Sequence, residues 1–355
     1  MSGMRRSMLI ASRMCTINVL AANTSLIDAE VMEGDSYSTQ IVCDEGYSVY
    51  EITIKMGGVD ITSTAYDPTY NMISIASVTD DVDIDVDARE FFYITFEDPA
   101  VEAICVANWG GNYEAGKISN FEAMRVTTFG NKFEQNTEIV KFNEMQYFTG
   151  LKSLSRSVPG QYLDGMTYFG AFNRCSNLEE ITLPTATIGA DKIAALFDQC
   201  SKLKTVDMSP ITVTGTAYIC NICGKCTALT SAVLPTVTVG ATYLGAIYAF
   251  NQCSNLLTVD ASRVNFANMS FTNSSNIFPG ATKLTRIIGG LSGFRNTENS
   301  IKSCPLTHDA AVELLESLGT VTSARTLTLK TSTYNTLTAE ELAIATGKGW
   351  TVAKG

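Results

Sequence analysis

Between residues 20 and 95, apolar and polar positions alternate with a period of two. Tyr50, Ile52, Ile54 and Met56 lie on one side of a run whose other side carries Val49, Glu51 and Thr53, and Gly57-Gly58 follows as a turn. Ile73/Ile75 and Val82/Ile84/Val86 form two more alternating runs, the last opposed by Asp81, Asp83, Asp85 and Asp87. A period of two puts alternate side chains on opposite faces of a strand. Short runs of this kind between Gly, Asp-Pro and Asn turns predict a small β-sandwich over residues 20–95. The period changes after Pro99. Val101, Ile104, Cys105 and Trp109 fall at helical spacing behind a proline suited to a helix start, and a second helix is expected from Ser119.

From about residue 131 a longer period takes over. Phe172-Asn-Arg-Cys175-Ser-Asn-Leu178 returns as Phe197-Asp-Gln-Cys200-Ser-Lys-Leu203, as Cys223-Gly-Lys-Cys226-Thr-Ala-Leu229 and as Phe250-Asn-Gln-Cys253-Ser-Asn-Leu256, once every 25 to 28 residues. A last copy, Phe278-Pro-Gly-Ala281-Thr-Lys-Leu284, lacks the cysteine, and Phe133-Glu-Gln-Asn136-Thr-Glu-Ile139 is a degenerate early one. Such a period means stacked supersecondary units that bury one continuous core. Each Leu leads into apolar positions spaced by two: Ile181/Leu183, Val206/Met208, Ala232/Leu234 and Val259/Ala261. These predict one short strand per turn, ended by Pro184 and Pro235 in two cases, and a parallel sheet along about six or seven turns. The predicted core ladder is Phe172, Cys175, Leu178, Phe197, Cys200, Leu203, Cys226, Leu229, Phe250, Cys253, Leu256 and Leu284. Cysteine serves there as a small, soft hydrophobe, and Ala281 implies that the sulfur is dispensable.

The strings FNRCSNLEEITLP, FDQCSKLKTVDMS and FNQCSNLLTVDAS resemble leucine-rich repeats of the BspA-like type, found in Bacteroides-group bacteria and their phages. The resemblance implies a solenoid with a parallel sheet, used as a scaffold for adhesion or assembly, with no shared chemistry. The segment GVDITSTAYDP…ISIASVTDDVDIDVDA resembles the Ig-like modules of Bacteroides surface proteins and phage fibres. The end of the chain, LTHDAAVELLESL…TLTLKTSTYNTLTAEELAIATGKGWTV, resembles C-terminal segments of phage tail and surface proteins from the same bacteria.

Five regions are therefore expected in a mixed, β-rich chain: an N-terminal docking arm (1–19), an Ig-like β-sandwich module (20–95), a helical cap (96–130), the repeat solenoid (131–300) and a C-terminal α/β cap (301–355). In the last, Thr307 N-caps a helix through Leu318, Leu327 and Leu329 share a strand, Thr338-Ala-Glu-Glu341 is a capping box, and Trp350-Thr-Val352 is a final strand. Residues 96–130 cover the exposed core at one end of the stack.

Composition narrows the function. Of 355 residues 45% are hydrophobic and 17% charged, the net charge is −11 and the pI about 4.7. A nucleic-acid partner is disfavoured, because a phosphate-binding face needs clustered Lys and Arg. No run of 18 apolar residues exists, so no transmembrane helix and no membrane insertion is expected. Of the ten cysteines, those at the equivalent repeat positions, Cys175, Cys200, Cys226 and Cys253, point inward in a column, which reads as free buried thiols in a protein assembled in a reducing cytoplasm. Arg5 and Arg6, followed by apolar residues, resemble the start of a signal peptide, but the run from Met8 to Ala11 is too short for one and Ser12-Arg13 interrupts it. A short basic arm that docks on a partner is the expectation.

Candidate chemistry is sparse. His308 is the sole histidine and falls in the first turn of a predicted helix. Cys220, Cys223 and Cys226 have a spacing that suits zinc, but no fourth ligand is near and the repeat explains Cys226. Residues 111–122 keep the EF-hand frame, with Gly116, Ile118 and Glu122 at positions six, eight and twelve, while Gly111, Tyr113 and Ala115 supply no carboxylate. The Asp81–Asp87 row reads as a solvated face that keeps a strand from aggregating. No phosphate loop or dinucleotide fingerprint is present. The expectation is a non-enzymatic protein without cofactor or metal. It would be a structural and adhesive virion protein of a Bacteroides-type phage, a homo-oligomeric fibre or appendage component that contacts other virion proteins and a host cell-surface glycan or protein. The alternative is a bacterial cell-surface adhesin. Tyr218, Tyr243 and Tyr248 are candidates for the binding face, since aromatics suit contact surfaces.

Overall fold

Strict alternation in Val82–Glu90 makes a strand with one dry face: Val82, Ile84, Val86 and Ala88 are buried, and Asp83 and Asp85 are exposed. The computed structural model describes residues 13–159, 166–189, 193–214, 221–238, 249–268, 278–294 and 298–355. The chain divides into two compact units, residues 1–93 and 94–355. It is β-rich, with few helices and several parallel sheets.

In the first unit, Val82–Glu90 is the middle strand of a five-stranded sheet in the order Ala29–Met32, Met14–Ala21, Val82–Glu90, Tyr47–Met56, Val59–Asp60. Met14–Ala21 runs parallel to it, with Ile17 opposite Val82, and Tyr47–Met56 runs antiparallel with a bulge between Val49 and Glu51. Gly57 and Gly58 both have positive φ, as a two-residue hairpin turn requires. A second antiparallel sheet of Tyr37–Gln40, Met72–Ile75 and Tyr66–Asp67 completes a core around Cys15, Ile17, Ile54, Ile73 and Ile84. The expected arm over residues 1–19 is corrected from Met14 onward. From Met14 the chain is an internal strand, because Cys15 and Ile17 lie fully in the core. Arg13 is exposed and pairs with Asp80, its Nη2 2.6 Å from Asp80 Oδ1. Arg5 and Arg6 lie outside the described residues.

The second unit begins with helix Pro99–Trp109, N-capped by Asp98, and helix Asn120–Arg125, opened by a Ser119–Glu122 capping box. Trp109 packs against Phe129, Phe133 and Phe148 at 5.3 to 6.1 Å. The repeats then stack in register. Thr205–Asp207, Ser231–Val233, Thr258–Asp260 and Arg286–Ile288 form one parallel sheet, and Glu180–Ile181 pairs with Lys141–Phe142. One strand per turn was expected, and three of the turns carry two. Beyond Pro184 and Pro235 the chain enters a second parallel sheet of Ala186–Gly189, Ile211–Thr214 and Thr236–Thr238. Ala186, Ile188, Ile211 and Val213 turn inward on it, and the threonines between them turn outward.

At the far end Glu298–Ile301, Arg325–Leu329 and Trp350–Lys354 form a third parallel sheet, with Leu327 and Leu329 buried. Thr307 caps helix His308–Ser317 and Thr338 opens Ala339–Thr346 with a capping box. Trp350 stacks on Phe294 at 5.9 Å and donates its indole N–H to the Gly319 carbonyl.

Candidate functional site

The repeated Phe-x-x-Cys segment is a tight turn that fixes one layer on the next. In every described copy the Cys-position amide donates to the Phe-position carbonyl: Cys175 to Phe172, Cys200 to Phe197, Cys226 to Cys223, Cys253 to Phe250 and Ala281 to Phe278. The residue before the cysteine has positive φ each time: Arg174 at 62°, Gln199 at 66°, Lys225 at 58°, Gln252 at 61° and Gly280 at 78°. For a residue other than glycine that conformation costs about 1–2 kcal/mol. The neighbouring layer offsets it, because the amide so turned donates to a carbonyl one turn on. Arg174 reaches Asp198 O at 2.8 Å, Gln199 reaches Gly224 O at 2.7 Å, and Gln252 reaches Pro279 O at 2.8 Å.

The cysteines do more than fill space. Each thiol donates to a carbonyl of the preceding layer: Cys175 to Phe133 O, Cys200 to Phe172 O and Cys226 to Phe197 O at 3.0 Å, and Cys253 to Cys223 O at 2.9 Å. Burial pushes the thiols of Cys175, Cys200 and Cys253 up, Cys175 to about 12, so these three remain protonated donors. The reading of dispensable sulfur holds for the last copy, where Ala281 stands; in the copies before it the sulfur is a hydrogen-bonding group. The remaining ladder residues, Leu178, Leu203, Leu229, Leu256 and Leu284, are all fully buried, and Phe172 stacks on Phe197 at 5.7 Å.

This rigid stack carries two ordered outward faces. On the sheet Thr205–Ser231–Thr258–Arg286, the partners in register are hydroxyl side chains ending in a guanidinium. The rank beside it is held across layers, with Thr230 Oγ1 donating to Lys204 O and Thr285 Oγ1 to Leu257 O, both at 3.1 Å. Leu257 is 45% exposed on this rank, and Lys204 is paired with Glu179 at 2.7 Å. On the other sheet Thr187, Thr212 and Thr236 are in register across three strands, about 4.8 Å apart by strand spacing. No protein-family model matches the chain, and no curated protein matches it.

The other candidates resolve individually. Tyr218, Tyr243, Tyr248 and Cys220 lie outside the described residues. Cys223 and Cys226 are fully buried, and among the described residues no group of three or more His, Cys, Asp or Glu could hold a metal ion. Glu122, at the twelfth position of the EF-hand frame, is buried and accepts from the amides of Asn112 at 2.6 Å and Ser119 at 2.7 Å. It ties its own loop together. Asp81, Asp83 and Asp85 are exposed and Asp87 is half-buried, as expected of a solvated face, but the row lies along a strand paired on both sides and so protects no edge. Asp81 accepts from Thr16 N, Asp83 from Asn18 Nδ2, and Asp87 pairs with Arg89. An open cleft of about 560 Å³ lies beside Asn18, Asp28, Lys55, Asp83 and Asp85.

His308 starts its helix as expected, but its ring also reaches a neighbour. Nε2 lies 3.0 Å from Glu341 Oε1, and Nδ1 lies 3.0 Å from Asp309 Oδ1. Asp309 first, then Glu341, raises the imidazole above its ordinary pKa. The half-buried Asp198 is also held above the carboxylate range, by desolvation, although Gln199 and Asn173 donate to it. Nothing in the sequence signalled either contact beyond the repeat position of Asp198. Among the described residues no helix is long and apolar enough to cross a membrane.

Proposed function

We propose that the chain is a non-enzymatic display protein whose second unit is a BspA-like leucine-rich-repeat solenoid and whose first unit is an Ig-like module. The observation that carries this reading is the pair of in-register outward faces, hydroxyl-rich and mounted on a backbone tied layer to layer by amides and thiols. Such a surface suits hydrogen bonding to a glycan or protein, because its groups are already ordered and lose little entropy on contact. The family resemblance of the repeats points to a structural or adhesive component of a Bacteroides-type phage virion, a fibre or appendage that meets other virion proteins and the host cell surface. A homo-oligomer fits, since particle symmetry repeats each contact. A bacterial cell-surface adhesin is the second reading, favoured by the same repeats.

Two measurements decide. Tryptic peptides of the chain are expected in purified phage particles; their recovery only from the outer-membrane fraction of the bacterium would select the adhesin. The full chain is expected to bind host cells, and Thr212→Arg, which puts a bulky charge in the middle of the threonine rank, is expected to weaken that binding at least tenfold with the fold intact by circular dichroism. Unchanged binding in Thr212→Arg and in the matching Ser231→Arg would remove both faces from consideration.

A further inference from the structure

One turn of the stack differs from its neighbours in a way that creates a chemical site. Phe172 stacks on Phe197, and Phe250 on Phe278, but between them the Phe position is Cys223. That turn therefore carries two sulfurs, on Cys223 and Cys226. The Cys226 amide donates to the Cys223 carbonyl at 3.3 Å. A turn closed in this way holds its first and last Cα atoms within about 7 Å. A disulfide spans Cα separations of about 4.4 to 6.8 Å. Both residues are fully buried, so the two side chains share one dry turn. No other described copy of the repeat has cysteine at both positions.

We propose that Cys223 and Cys226 are a redox modification site, a dithiol that a small-molecule disulfide oxidises to an internal Cys223–Cys226 bond. One thiol of the pair gives up its proton and attacks the small disulfide, R–S–S–R. A mixed disulfide forms and one R–S⁻ leaves. The second thiol gives up its proton and attacks the protein sulfur of that mixed disulfide, so that the Cys223–Cys226 bond forms and the second R–S⁻ leaves. The two released protons end on the two R–S⁻ groups, and two electrons pass from the protein sulfurs to the oxidant. Both sulfurs are shut off from solvent, so exchange proceeds through local opening of the turn and is slow. Oxidation also withdraws the Cys226 hydrogen from the Phe197 carbonyl. The layer contact it served is weakened on that side, while the amide ladder persists.

The test uses the full chain, held folded and incubated with oxidised glutathione, then alkylated and digested for mass spectrometry. The expected result is a single intramolecular link between Cys223 and Cys226, reversed by dithiothreitol, with Cys175, Cys200 and Cys253 alkylated as free thiols. In Cys223→Ala the link is lost and Cys226 stays free or carries glutathione. Free thiols at both positions after prolonged incubation would overturn the proposal, and so would a predominant link from Cys223 or Cys226 to Cys200, Cys220 or Cys253. Native circular dichroism before alkylation ensures that the link formed in the folded protein.

Discussion

The two units solve the same problem of closing a β-rich core by opposite means. In the first, the sheet is completed by distant parts of the chain: Met14–Ala21 lies against Val82–Glu90, with Ile17 opposite Val82. In the second, each layer bonds to the layer before and after it, one repeat away. A core built from non-local pairings stands or falls as one body, whereas a stack divides its stability among layers and the interfaces between them. Outward chemistry differs as well. The first unit turns a row of aspartates to solvent, and the second turns out ranks of hydroxyls, joined on one sheet by Asp207, Asp260 and Arg286. A surface of hydroxyls at fixed spacing asks for a rigid backbone, and the stack supplies it.

The sharpest way to break the comparison is to remove one core side chain from each unit. Ile17→Ala and Phe172→Ala both empty a fully buried position, and such truncations cost about 2–5 and 3–5 kcal/mol. Hydrogen exchange is expected to distinguish them. Ile17→Ala accelerates exchange throughout residues 13–93, while Phe172→Ala accelerates it most in residues 133–203 and leaves 298–355 near the parent rate. Uniform acceleration across the second unit would mean that the layers are not separable.

A smaller effect is expected from packing between layers. A Cβ on Gly170 would fall 2.2 Å from the Ala195 carbonyl oxygen and from Leu196 Cα, both backbone atoms of the next layer. Gly170→Ala therefore forces two layers apart, and overpacking of this kind costs about 1–3 kcal/mol. Denaturant unfolding monitored at the repeat layers checks it. Smaller again is Cys200→Ala, which removes the thiol donor to Phe172 O while the Cys175 amide still serves that oxygen. A loss of about 1 kcal/mol is expected, and Cys200→Ser is expected to recover part of it. If serine recovers nothing, the sulfur acts only by filling space.

What could be read in the sequence follows what periodicity encodes. A fixed period placed Cys175, Cys200, Cys226 and Cys253 inward, and all four are fully buried. Periodicity gives the direction of a side chain, not the carbonyl it meets, so the thiol bonds between layers stayed hidden. The second strand of these turns was legible in the inward pairs Ala186/Ile188 and Ile211/Val213, but the strands are only four residues long and the prolines before them drew the boundary too early. In the Met14–Ala21 strand, Cys15 and Ile17 alternate with Thr16 and Asn18; the arginines upstream suggested an arm instead. Positive φ before each cysteine was signalled once, by Pro279-Gly280 in the copy that lost its sulfur, a pair that favours such a turn. Elsewhere the conformation is imposed by bonding to the next layer. The helix starts at Thr307 and Thr338 were readable because caps are local.

The smallest expected effect lies at the end of the stack, where His308 joins two helices through Glu341. The folded protein raises the His308 pKa, through Asp309 and then Glu341. A raised folded value means that the folded state holds the proton more tightly than the unfolded chain, whose imidazole titrates at about 6.5. The stabilisation is thus complete below that value and disappears as pH rises through the folded pKa. On the acid side it lasts until Glu341 is protonated, which is delayed because the Thr338 backbone amide, and then the imidazole, hold that carboxyl below its ordinary range. His308→Gln keeps a polar side chain but carries no charge at any pH. The thermal midpoint of the parent is expected to exceed that of His308→Gln by a small margin near pH 5.5, and the two midpoints are expected to converge above the folded pKa. Both groups are exposed to salt, so added sodium chloride is expected to shrink the margin. A margin that is independent of pH would show that the ring contributes by packing and hydrogen bonding in its neutral form, and not through its charge.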